Sequence, residues 1–478
     1  MHRNPKHKLL FISRRAKVKH KKFKRRYLEK RRPFLGWVKF VADVVKKAKE
    51  NKRPYKITPY FHERRKKILG PLPKISNTIE YLNSKRDAFS KDKRPRQEDG
   101  NLKIPRVFSL TDAYSESFSF LKRLYYALYL QSTSKITLDY DDCEKIDLDA
   151  SVCMDILLGE FILYIKKCRI QGHQTKIQEI IPINFNKPHI RKILFSIGAF
   201  ASIKNLSLSF PDIIPYKLCV ARKSHPKASA IREVDITKMV EYVIKSMQKM
   251  NKTLTPEAED NLFKVIGEVL INAEEHSTCD YRYSIGYFQD LEENGEHIGI
   301  FNLVILNFGK TIYETFSDPN CANKSIVRQM EELSSSYVKR GLFSAAKFEE
   351  QTLWTLYALQ EEVTSKADWK RGNGSIRFID SFFNLKGGND LDNISYLSIV
   401  SGNTRIIFDG TYRLIEKVKG KNRGKYKMMT FNSTGDIEDE PDKNFVTFAE
   451  NYFPGTIISA KICIKEKNTE VSDNEQYK

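Results

Sequence analysis

The chain has 478 residues, 41% hydrophobic and 29% charged, which is length and apolar content enough for two or three domains with ordinary cores. Its net charge of +23 sits entirely in residues 1–100, which hold 33 Lys and Arg against 9 Asp and Glu, while the rest holds 49 against 50. No apolar run reaches the ~18 residues of a membrane helix, and the basic N-terminus has neither the apolar stretch of a secretory signal nor the Ser-rich amphipathic pattern of a transit peptide, so no membrane association is expected. The seven cysteines form no CxxC pair and the histidines add no zinc spacing, which points to free thiols in a reducing cytoplasm.

Residues 1–105 read as a basic arm and linker, partly helical or disordered. Arg14, Arg15, Lys21, Lys22, Arg25, Arg26, Arg31 and Arg32 alternate with Phe11, Phe23, Tyr27 and Phe34. Cations neutralise phosphates and aromatic rings stack on bases, so the pattern suits nucleic acid, DNA or RNA, or another polyanion bound through residues 1–70. An acidic protein partner or a plain solubilising tail would use the same composition. A helical spacing follows from Leu35 to Ala48, and residues 84–105 have the composition of a linker.

Residues 106–225 alternate helix and strand. Ser109 to Leu130 reads as a helix, Ile136 to Tyr140 as a strand, Asp147 to Cys168 as a helix, Gly172 to Ile183 as turn and strand, and Ile190 to Phe200 as a helix. Such alternation argues for a small α/β layer. The string ITLDYDDCEKIDLDAS from Ile136 to Ser151, with ILFSIGAF ending at Phe200, resembles the STAS (anti-anti-sigma) fold. That family's phospho-switch members carry Ser or Thr after an Asp; here Asp147 is followed by Leu148, so the resemblance implies a packing or partner-recruiting unit.

Residues 232–466 carry the chemistry, and residues 467–478 read as a disordered tail. Thr255 can cap a helix with Pro256 at its first position and Glu257, Glu259 and Asp260 in its first turn. Leu262, Val265, Ile266, Val269, Leu270 and Ala273 form a core stripe, and Glu268, Asn272 and His276 recur every four residues beside it. Tyr281 to Phe288 and Ile298 to Leu306 flank Asn294-Gly295 as a hairpin. Residues 313–370 run long and largely helical, and Arg328, Lys339, Arg340 and Lys347 there can reach phosphates or lie on exposed helix faces. Arg371 to Ile376, RGNGSI, opens a further helix. Tyr396 to Val400 and Thr404 to Phe408 read as a hairpin turning at Gly402-Asn403, and Phe453-Pro454-Gly455-Thr456 leads into a last strand.

In order, these motifs resemble the GHKL superfamily of ATP-binding domains, whose fold is the Bergerat α/β sandwich. The segment from Ile266 to His276, IGEVLINAEEH, resembles the N-box Glu-x-x-x-Asn. The resemblance implies that Asn272 holds Mg²⁺ and that Glu268 is the general base on water. Asn307-Phe308-Gly309 resembles the first glycine box, Asp-x-Gly-x-Gly-Ile, whose Asp accepts from the adenine amino group; here Asn307 replaces the Asp and Thr311 the second Gly, which bears on adenine affinity and base identity. Gly372, Gly374 and Ser375 resemble the second glycine box, which cradles phosphate at a helix N-terminus. Thr456 matches the Thr near the nucleotide in the regulator-kinase branch.

The whole implies an α/β chain with an ATP- and Mg²⁺-binding domain over 232–466, an enlarged lid over 313–370, a STAS-like middle unit and a basic arm. The expected activity is an ATPase switch, with an ATP-dependent homodimer as one mode of action and a protein partner at the STAS-like unit. A serine/threonine kinase of the anti-sigma type, and a nucleic-acid regulator that binds ATP without hydrolysing it, remain alternatives.

Overall fold

The computed structural model describes residues 5–50, 64, 67–85, 100–129, 135–173, 179–198, 208–275, 277–293, 296–343, 348–367, 373–386, 395–418, 425–464 and 468–471. It is a mixed α/β protein with several sheets, and the chain divides into two compact units.

The first unit comprises residues 1–76 with 132–134 and 160–179. Its main element is α1, Pro5–Glu50, one helix that starts thirty residues before the periodic stretch seen in the sequence and carries Pro33 within it. Lys21, Arg25 and Arg32 are exposed, as are Leu28 and Leu35 on the same groove-lined face. Arg31 behaves differently: its guanidinium lies over the Tyr27 and Phe34 rings at 5.7 and 5.3 Å, so this cation and these two rings are already engaged with one another. Arg25 pairs with Glu29 one turn on, at 3.1 Å.

The second unit holds the remaining elements in this order: α2 (Asn77–Ser84), β1 (Asn101–Lys103), β2 (Val107–Phe108), α3 (Tyr114–Tyr129), β3 (Lys135–Asp139), β4 (Lys145–Ile146), the first half of α4 (Leu148–Gln171), β5 (Glu179–Ile183) and α5 (Pro188–Ser196). Then come β6 (Ile213–Arg222), α6 (Ala228–Gln248), β7 (Lys252–Leu254), α7 (Pro256–Glu275), β8 (Tyr281–Glu293), β9 (Glu296–Phe308), α8 (Ile312–Phe316), α9 (Lys324–Lys339), α10 (Glu350–Tyr357) and α11 (Gly374–Lys386). The last elements are β10 (Tyr396–Phe408), β11 (Ile415–Val418), β12 (Lys425–Met428), β13 (Val446–Ile464) and β14 (Thr469–Val471).

The central sheet has the order β10-β13-β9-β8-β6, antiparallel at every pairing. Helices α6, α7 and α11 pack on one face, where Ile266, Val269 and Leu270 of α7 meet Phe301, Leu303 and Ile305 of β9 in a single core. The opposite face meets the layer built from residues 100–129, 135–159 and 180–198: Thr111 donates to Ser398 Oγ at 3.0 Å, Tyr114 donates to the Asn451 carbonyl at 2.8 Å, and Phe118 packs edge-on to Phe453. Coverage on both faces explains why Phe301 to Phe308 is buried without interruption and reads as a nearly continuous apolar run. Within the 100–198 layer, β1-β3-β5 form a three-stranded sheet with β1 parallel to β3.

Helix α7 forms as its sequence dictates. Thr255 Oγ1 accepts from the Ala258 N–H at 3.2 Å, Pro256 occupies the first position, and Glu257 and Glu259 lie in the first turn. Its stripe from Leu262 to Ala273 is buried throughout, at about 1.5–3 kcal/mol for each large side chain.

Four local features differ from the sequence reading. The Gly402-Asn403 turn is no hairpin: β10 runs through it as one strand beside β13, with register shifts at Ser401/Gly402 and Gly402/Thr404. Gly402, at φ +59°, serves a β-bulge, which asks for the same residue as a turn does. The strand β6 lies within 106–225 in sequence but forms the edge of the central sheet against β8. Residues 101–103, of linker composition, form β1. In the C-terminal tail, Thr469–Val471 pairs with β7, held where the Asn468 carbonyl accepts from the Thr255 N–H at 2.9 Å. Residues 472–478 lie outside the described residues.

Candidate functional site

Between α7, α11 and the sheet lies a cavity of 440 Å³, a volume in the range of small-molecule sites. Helix α7 contributes Glu268, Asn272 and Glu275 to its wall. The sheet contributes Asn307 from β9, Thr456 from β13 and the apolar Ile305, Ile399 and Ile458; the start of α11 contributes Asn373, Gly374, Ser375 and Arg377. The segment from Ala358 to Lys366 closes a further side, with α8 and Arg232 of α6.

Six of the residues singled out by motif therefore meet on one cavity: Glu268, Asn272, Asn307, Gly374, Ser375 and Thr456. Gly309 does not. β9 ends at Phe308, and Gly309 turns onto Thr278, where a Cβ would fall 2.3 Å from the Thr278 nitrogen; its N–H donates to the Pro454 carbonyl and its carbonyl accepts from Tyr81 Oη. Its lack of a side chain answers this backbone approach. Gly372 and His276 lie outside the described residues. Thr311, where the first glycine box has a second glycine, caps α8 in a reciprocal box with Glu314.

Register sets the polar row at the back of the site. Arg282 on β8 stands opposite Asn307, Asn307 opposite Thr456, and Thr456 opposite Ser401 on β10. Thr456 Oγ1 and Ser401 Oγ share a hydrogen bond of 2.9 Å. Arg282 is buried and donates to Asp235 at 2.7 Å and Glu274 at 3.2 Å, and Glu274 also receives Arg232 at 3.0 Å; this network ties α6 and α7 to the sheet.

Glu268 and Gly374 are in direct proximity: a Cβ on Gly374 would fall 2.7 Å from Glu268 Oε2. Burial raises the Glu268 carboxyl above its ordinary 4.5, the Arg377 charge pulls it down, and Glu275 adds to the rise. At the mouth, Lys366 Nζ reaches Glu275 Oε2 at 2.5 Å. Among the described residues the wall thus carries three cations, Arg232, Lys366 and Arg377, against the two carboxylates Glu268 and Glu275.

These three cations are not the ones the lid sequence suggested. Arg328 and Lys339 lie on the exposed face of α9, whose other face buries Ile326, Met330 and Leu333, and Arg340 is bound to Asp439 at 2.7 Å. Lys347 lies outside the described residues. Two signals could have found Glu275 and Arg377: Glu275 falls seven residues after Glu268 on one helix face, and Arg377 lies three residues beyond Gly374.

Asn272 offers an amide oxygen one helical turn from the Glu268 carboxylate, a donor type that suits Mg²⁺. Among the described residues no cluster of three or more His, Cys, Asp or Glu could hold a metal unaided, so Mg²⁺ at Asn272 would share its shell with phosphate and water.

Compared with known proteins, the chain matches no family model, no curated protein and no solved structure.

Proposed function

We propose that the chain is a Mg²⁺-dependent nucleoside triphosphatase of GHKL type, ATP being the nucleotide its motifs imply, and that nucleotide binding acts as a switch. The observation that carries this reading is the convergence of Glu268, Asn272, Asn307, Gly374, Ser375 and Thr456, from four separate elements, on one cavity. The apolar side walls suit a planar base. The N-terminus of α11, with Arg232, Lys366 and Arg377, suits a polyphosphate. Asn272 would hold Mg²⁺, which supplies charge neutralisation to the phosphates. Glu268, its carboxyl raised by burial, takes a proton from the attacking water.

The layer of residues 100–129, 135–159 and 180–198, which we read as STAS-like, touches the back of the same sheet through Thr111 and Ser398, on the strand that also carries Ser401 of the polar row. That contact gives the cavity a physical route to a partner-binding unit. The basic α1 is read as the nucleic-acid or polyanion-binding part.

Release of inorganic phosphate from Mg²⁺-nucleoside triphosphate tests the reading. The wild type should turn over slowly and Glu268→Ala should lose at least about a hundredfold, the scale of a lost general base. Hydrolysis by Glu268→Ala at the wild-type rate would remove Glu268 from its role.

A further inference from the structure

Helix α2, Asn77–Ser84, falls in the stretch whose sequence reads as arm and linker, yet it belongs to the unit that holds the cavity. Its Thr78, Ile79 and Leu82 are buried, and the Thr78 and Tyr283 hydroxyls share a hydrogen bond of 2.9 Å. Two further side chains reach the turn and helix that follow β9. Tyr81 Oη donates to the Gly309 carbonyl at 2.7 Å, and Lys85, one residue past the end of α2, meets Glu314 Oε1 at 3.0 Å. Burial and the Glu314 charge push the Tyr81 phenol up, which keeps it a donor.

Glu314 is the group that fastens α8. Its Oε2 accepts from the Thr311 N–H at 2.9 Å, and its Oε1 accepts from Tyr452 Oη at 2.9 Å as well as from Lys85. Burial disfavours its charge, but these donors outweigh burial and hold the carboxyl below 4.5. The Lys85 ammonium also lies 5.9 Å from the centroids of both the Tyr81 and the Tyr452 rings. Helix α8 has only five residues, far too few to persist on its own, so its place depends on such external ties. Three of those five or their neighbours matter to the cavity: Ile312, Thr315 and Phe316 form part of its wall.

We propose that Tyr81 and Lys85 are positioning residues of the nucleotide site, which fasten the Gly309 turn and α8 and so hold the wall of Ile312, Thr315 and Phe316 in the shape that accepts the nucleotide. This rests on the reading of the cavity as a nucleoside triphosphate site. Neither Tyr81 nor Lys85 lines the cavity, and Glu268 and Gly374 stand on α7 and α11 rather than on α8. Loss of either tie therefore weakens binding and spares the chemical step.

Calorimetric titration of the full chain with ATP and GTP in Mg²⁺, beside single-turnover phosphate release at saturating nucleotide, tests it. Tyr81→Phe keeps the ring and loses the donor; Lys85→Met keeps the length and loses the charge. In each variant the Kd should rise about tenfold, as for a wall correctly formed about a tenth of the time, while the single-turnover rate stays within about twofold of wild type. Lys85→Arg, which keeps the charge, should recover most of the affinity. Ties that served only the stability of the fold would lower the melting temperature and leave Kd unchanged, and that result overturns the proposal. So does a rate that falls as far as the affinity, or a Lys85→Arg protein that binds no better than Lys85→Met. A wild type that binds neither nucleotide overturns the reading of the cavity, and this proposal with it.

Discussion

Gly374, at the start of α11, stands so close to Glu268 on α7 that a Cβ there would lie 2.7 Å from the carboxylate Oε2. Two motifs separated by about a hundred residues of sequence thus meet at close range, and the smallness of one residue makes room for the other's carboxylate.

Gly374→Ala should therefore displace the carboxylate rather than unfold the helix. Alanine is the better helix former, so the melting temperature should hold or rise slightly. Turnover should fall about a hundredfold, the penalty for misplacing a reacting group by roughly an ångström. Single-turnover rates measured beside thermal melts check this. Wild-type turnover in a well-folded Gly374→Ala protein would separate Gly374 from the chemistry.

Acid should switch the proposed hydrolysis off early. In that reading Glu268 works as a carboxylate, and burial raises its carboxyl above 4.5, against the lowering pull of Arg377. The acid limb of kcat should thus lie above the ordinary glutamate value, and Arg377→Ala should move it further up. Stability follows with the opposite consequence. The folded state keeps this proton longer than the unfolded chain does, so its contribution is present below 4.5 and is lost as pH rises through the raised folded value. Glu268→Gln should remove that slope in melts recorded across the window. An acid limb at or below 4.5 that ignores Arg377→Ala would refute the assignment.

The basic helix should bind polyanions as a charged rod. At 1.5 Å per residue, the 46 residues of α1 extend about 70 Å. If six to ten phosphates are contacted, affinity for a short duplex should fall about a thousandfold or more between about 50 and 200 mM salt. Deleting residues 1–70 should abolish this binding, as read by fluorescence anisotropy. Binding that survives the deletion would place the polyanion site elsewhere.

Much of the site was legible because its motifs lie on elements with strong local signals. The cap at Thr255, the stripe from Leu262 to Ala273 and the spacing of Glu268 and Asn272 define α7 without reference to the rest of the chain. What was not legible depends on long-range pairing. Gly402-Asn403 has turn chemistry, and only the partner strand β13 makes it a bulge. Nothing local marks Ile213–Arg222 as an edge of the sheet formed by strands after residue 280. For the lid cations the sequence leaves both an exposed helix face and the phosphates open; packing puts Arg328 and Lys339 on the exposed face of α9 and brings Lys366, beyond that helix, to the cavity.

The proposed function requires this cavity to hold a nucleoside triphosphate with Mg²⁺ at Asn272. Titration of the full chain with ITP, GTP and ATP, with Mg²⁺ and then with EDTA, tests it most directly, in the wild type and in Asn272→Ala. Saturable binding of at least one nucleotide that weakens about tenfold or more without Mg²⁺, and an Asn272→Ala protein that binds at this weaker level whether or not Mg²⁺ is present, is the predicted result. No binding of any nucleotide to the folded wild type, or Mg²⁺-dependent binding undiminished in Asn272→Ala, would contradict it.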